Sequence, residues 1–159
     1  MKKKTYLIIT CVLLITFTIT ITSFIVNNDI WDKNGKLFKN EVLAIESNLT
    51  ETTLNKLTPF DWDEAYIFKP YSTKEYIYNT VGYEWDHINE IVDGMIQVVF
   101  LKNKEVVCYL TGYPNENKYD INIPINKFAP DKSHILLLEE DNPKLKIEKK
   151  NNITILTIL

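Results

Sequence analysis

The sequence predicts an α+β protein: one N-terminal transmembrane helix followed by one small domain. Three observations predict it. An uncharged apolar run stands near the N-terminus with lysines in front of it. A well-capped helical segment follows in the early part of the remainder. The later half is made of short strand-like runs separated by turn residues. The expected domain is an antiparallel sheet with one or two helices on one face.

Residues 6–26 carry no charge and are dominated by Leu, Ile, Val and Phe, with threonines able to bond back to helix carbonyls. At about 1.5 Å per residue such a helix spans about 30 Å, the thickness of a bilayer core. Lys2, Lys3 and Lys4 precede it, so the N-terminus is expected to stay cytoplasmic and the rest to cross. A cleaved signal peptide would want small residues at −3 and −1, and Ile21-Thr22-Ser23 supplies only the second. A lipoprotein signal would want its cysteine at the end of the run, and Cys11 comes too early. All three readings place the domain outside the cytoplasm. The expected division is an anchor over 1–26, a polar tether over 27–36 and an extracytoplasmic domain over 37–159.

Within the outer chain, Asn34-Gly35 marks a turn in the tether. Asn48 with Glu51 suggests a short helix whose buried side holds Leu54 and Leu57, stopped by Pro59. Residues 62–68 read as an interior strand, with Trp62, Tyr66 and Phe68 on one face and Ala65 and Ile67 on the other. Ser72-Thr73-Lys74-Glu75 is a capping box, Ile77 and Val81 follow at helical spacing, and Gly82 suits the C′ position. Residues 95–101 and 105–111 form a hairpin across Lys102-Asn103-Lys104. Residues 119–125 alternate, with Pro124 arguing for a sheet edge. Further strands are expected at 134–139, 145–148 and 153–159, the last two paired with each other.

Every basic residue is lysine, and the bidentate arginine fork that favours phosphate recognition is missing. Beyond the first three, 15 lysines face 21 acids, a balance of −6 on the outer chain. That repels nucleic acid, so no nucleic-acid partner is expected. Cys11 and Cys108 fall in separate compartments and cannot pair, and Cys108 reads as a small buried hydrophobe.

The most conspicuous chemistry is the acidic-aromatic stretch Asp61, Trp62, Asp63 and Glu64 with Tyr66 and Tyr71, extended by Trp85-Asp86-His87. Carboxylates beside aromatic faces can bind a sugar, a peptide or a cation, and two carboxylates can share acid and base roles. The competing reading is a turn entering a strand, with Asp61 solvated and Trp62, Tyr66 and Phe68 in the core. His87 and His134 each lack a metal-ligand partner nearby. Asp32, Asn34, Gly35 and Glu41 match a calcium loop only in part, because Ile30 stands at its first ligand position. No phosphate loop and no nucleophile elbow occurs. No enzyme, cofactor or metal is therefore expected.

The stretch Thr58-Pro59-Phe60-Asp61-Trp62-Asp63-Glu64-Ala65-Tyr66-Ile67-Phe68-Lys69-Pro70-Tyr71 resembles the signature of a group of small exported or membrane-anchored bacterial proteins. The resemblance continues through Gly82, Trp85 and the hairpin. It implies an exported location and no particular chemistry. The helix-then-hairpin unit is also similar to small envelope domains of the outer-membrane assembly lipoprotein and β-lactamase-inhibitor-like class, which implies binding to other proteins. The expected role is thus a single-pass protein, held in the lipid bilayer through 6–26, whose outer domain binds an envelope protein. The alternative is a small-ligand or cell-wall-glycan module using Trp62, Tyr66, Tyr71 and Trp85.

Overall fold

The computed structural model describes residues 30–46, 49–85, 88, 92–124 and 133–159. The expected anchor, Cys11, Asn48, Asp86 and His87 lie outside them. No described helix is long and apolar enough to cross a membrane.

A helix, α1, covers residues 30–44. β1 (Glu51–Thr53), the single turn α2 (Leu54–Leu57), β2 (Glu64–Phe68) and α3 (Lys74–Val81) follow. The hairpin strands are β3 (Ile96–Lys102) and β4 (Glu105–Gly112). Then come α4 (Pro114–Asn117), β5 (Tyr119–Asn122), β6 (His134–Leu138), a 3₁₀ turn (Glu139–Asp141), β7 (Lys144–Lys150) and β8 (Ile153–Ile158).

The α+β class holds, but the strands form two four-stranded sheets instead of one. The first sheet has the order β4-β3-β2-β6 and the second β1-β7-β8-β5. Every pairing is antiparallel except β5 with β8, which is parallel. Between β5 and β7 the chain leaves the second sheet to lay β6 on the first, and this excursion separates strands that short turns would have made antiparallel neighbours.

Alternation explains the stacking. β7 buries Leu145 and Ile147, β8 buries Thr154, Leu156 and Ile158, and both leave polar or half-exposed residues outside. β3 is buried on both faces, so its sheet needs a cover on each side. Between the sheets, Ala65, Ile67, Val98, Phe100 and Cys108 meet Tyr119, Leu145, Ile147, Leu156 and Ile158. On the other face, Phe68, Val99, Leu101 and Val106 pack under Ile77 and Val81 of α3, with Trp85 and Ile88.

Several local expectations hold. The β3–β4 hairpin turns on Asn103 and Lys104, both at positive φ, as a two-residue primed turn requires. Asn151 and Asn152 do the same between β7 and β8. β5 is an edge strand and β2 an interior one. Gly82 ends α3 at φ 73°.

Others are corrected. Residues 30–36, expected as a turn-rich tether, are helical. Trp31, Asn34, Phe38 and Val42 lie three or four residues apart and form the docked stripe of α1, which also rules out a calcium loop there. The expected helix from Asn48 is shorter: 51–53 are strand and only Leu54–Leu57 turn helically, with both leucines buried as expected. The cap of α3 is Thr73, whose side chain accepts from the Tyr76 amide, while Ser72 donates to the Lys69 carbonyl. Trp62 belongs with Ala65 and Ile67 between the sheets, opposite Tyr66 and Phe68. The bend at Asp63 breaks the alternation before β2 begins.

Candidate functional site

The expected acidic-aromatic site is taken apart by the fold. Trp62 is 3% exposed, edge-on to Phe100 at 5.4 Å, with its indole N–H donated to Thr58 Oγ1 at 2.9 Å. Trp85 is 4% exposed on the far face of the first sheet, edge-on to Tyr78 and Tyr109. Tyr66 is half-buried, stacked on Phe68 and near His134. Tyr71 is 68% exposed in a left-handed turn at φ 65°. The four rings therefore form no common platform, and the alternative of a sugar-stacking surface on Trp62, Tyr66, Tyr71 and Trp85 is corrected to one exposed ring and three packed ones.

Two of the carboxylates, Asp63 and Glu64, are also committed. Asp63 accepts from Lys102 Nζ at 2.6 Å and from the Asn103 amide at 2.7 Å, clamping the hairpin turn. The Asn103 amide and the Lys102 ammonium hold its carboxyl below the usual range. Glu64 accepts from the Tyr66 hydroxyl at 3.0 Å. Burial first, and this carboxylate second, push the Tyr66 hydroxyl up to about 12. Asp61 is exposed and lines a polar cleft of about 310 Å³ with Asn55, Thr58, Phe60, Trp62, Lys102 and Glu139. Glu139 is tied in by Asn55, which donates to both its carbonyl and its carboxylate at 2.9 Å. Among the described residues, no three His, Cys, Asp or Glu side chains are grouped to hold a metal. A larger cleft of about 560 Å³ opens between the sheets at the opposite end of β2, lined chiefly by Ile67, Ile96, Val98, Ile121 and Ile123, with Tyr71 at its polar rim.

A different feature stands out once the pairing is known. Of the first sheet's two edges, β4 is covered by α1: the Trp31 indole donates to the Val106 carbonyl and Asn34 Nδ2 to the Val107 carbonyl at 2.9 Å. β6 pairs with β2 on one side, and among the described residues no strand pairs with its other side. Ser133 accepts from the Lys69 amide and the Glu139 amide donates to the Asp63 carbonyl, so odd-numbered residues of β6 bond to β2. Leu136 and Leu138 consequently direct their amides and carbonyls away from the sheet. The strand reads His-Ile-Leu-Leu-Leu, has no bulge, and leaves Leu136 43% exposed. It has none of the charges, prolines or bulges by which sheet edges are usually protected.

Sequence reading placed a strand here but could not see an edge, because an uncharged aliphatic run reads as interior. No protein-family model matches the chain, and comparisons with curated proteins and with solved structures find no match.

Proposed function

We propose that this is a single-pass membrane protein whose domain stands outside the cytoplasm and acts by binding a further polypeptide chain along the open edge of β6. The observation that carries the binding reading is that edge: aliphatic, without a partner strand among the described residues, and with the backbone groups of Leu136 and Leu138 turned outward. Strand addition supplies main-chain hydrogen bonds for affinity and alternate side chains for selectivity. Membrane placement is supported by the lysines and the uncharged run at 6–26, and the resemblance of the 58–71 segment to exported proteins agrees with it. Two of the three candidate carboxylates, Asp63 and Glu64, are held in hydrogen bonds within the fold, which supports binding over catalysis.

A photo-crosslinking side chain placed at Leu136 of the full-length protein, in intact cells, tests this. The expected result is an adduct to one polypeptide identified by mass, with no such adduct from the exposed Tyr113. Equal labelling from both positions overturns the edge as a binding surface. Protease added outside wall-stripped cells should digest the domain, and full protection overturns the placement.

A further inference from the structure

We propose that the occupant of the β6 edge is β6 of a second copy of this chain, joined antiparallel about a two-fold axis at Leu136; this rests on the edge-binding reading above. Three features fit that partner and fix its register.

The first is register. Leu136 turns its amide and carbonyl outward, so an antiparallel copy centred on it sets Leu136 against Leu136 and exchanges two main-chain hydrogen bonds across the axis. Leu138 then lies opposite His134 of the other copy, and Ile135 opposite Leu137. Such self-complementarity is what a two-fold interface demands.

The second is side-chain chemistry. Leu137 packs toward the inter-sheet core while Leu136 lies on the α3 face beside Tyr66, its partner across β2. Pairing two copies therefore adds aliphatic contacts on both faces and joins the two four-stranded sheets into one continuous sheet.

The third is charge. Glu139, Glu140 and Asp141 follow β6 at once. Antiparallel pairing about Leu136 leaves the two acidic turns at opposite ends, about 20 Å apart along the strands and beyond the range of unscreened repulsion. Parallel pairing would set them side by side, and a register slipped toward the C-terminus would draw them into the ladder. The acidic turn thus works against parallel pairing and against a register slipped toward the C-terminus.

The test uses the full-length protein in detergent micelles with Cys11→Ala, leaving Cys108 buried. Across the proposed axis the two Cα atoms at 136 stand about 5.5 Å apart, within disulfide reach. Leu136→Cys should form a covalent dimer under mild oxidation, several-fold more than Tyr113→Cys on a different surface. Leu136→Lys, which sets two ammonium groups against each other at the axis, should shift the sedimenting mass from dimer to monomer with an unchanged far-ultraviolet spectrum. No excess dimer at 136 over 113, or a dimer that survives Leu136→Lys, overturns the second copy as occupant. If the protein is monomeric and the Leu136 photo-crosslinker captures a different polypeptide, self-pairing falls while the edge-binding reading stands. If it captures nothing, both fall.

Discussion

Replacing Trp62 separates a structural ring from a binding ring. Its indole is 3% exposed, meets Phe100 edge-on at 5.4 Å, and donates to Thr58 Oγ1 at 2.9 Å. A buried Trp hides about 200 Å², which at about 25 cal/mol/Å² corresponds to about 5 kcal/mol of transfer free energy. Core Trp or Phe to Ala changes cost about 3–5 kcal/mol, and Trp62→Ala is expected in that range. Trp62→Phe keeps most of the packing and loses the indole hydrogen bond. Thr58 Oγ1 still donates to the Leu54 carbonyl, so no buried hydroxyl is orphaned, and a cost of about 1–2 kcal/mol is expected. Urea unfolding of the full-length protein, followed by far-ultraviolet circular dichroism, reads both. With a slope of about 2 kcal/mol/M, the alanine variant should lose about 2 M in midpoint. A surface ring serving only a ligand would move stability by no more than about 0.5 kcal/mol. A loss below about 1 kcal/mol for Trp62→Ala would refute the buried placement argued from packing.

Two further outcomes follow from the same geometry. Asp63→Asn should lower the melting temperature slightly at neutral pH by weakening the clamp on Lys102 and Asn103. Because the folded state depresses this carboxyl below its ordinary 3.8, the stabilisation is present above that value and is lost as pH falls through the folded-state pKa. The gap between variant and parent should therefore close in acid, and a gap that persists at the lowest pH measured would contradict the clamp. The Cys108 thiol, fully buried and pushed up by desolvation, should react with a thiol reagent only after denaturant is added. Rapid labelling of Cys108 in the folded protein would show that the inter-sheet layer opens.

What could be read from the residues follows from local chemistry. Both hairpins were legible because residues that tolerate positive φ, Asn103 and then Asn151 with Asn152, interrupt strand-forming runs. Gly82 with Ile77 and Val81 marked α3 for a similar reason. α1 is hidden in the sequence although Trp31, Phe38 and Val42 recur at helical spacing, because Asn34-Gly35 reads as a turn when its context is unknown. In the fold, Asn34 lies within the docked stripe and spends its amide on the Val107 carbonyl, a use no sequence pattern announces. Alternation likewise puts Trp62 on the wrong face, since it says nothing about a bend one residue before the strand.

The sequence alone determined the α+β class, the run and lysines at the N-terminus, the two hairpins, α3 and the edge position of β5. Each depends on charge, apolar period or turn residues within a short window, where neighbours in the chain are neighbours in space. Tertiary structure decided that the strands divide into two stacked sheets, that β5 runs parallel to β8, that Trp62 and Trp85 are buried on opposite faces, and that β6 stands at an edge. Those depend on which distant strands meet. Asp63 and Asn103 are 40 residues apart, yet the Asn103 amide donates to the Asp63 carboxylate, and a contact of that separation is set by how the whole core closes.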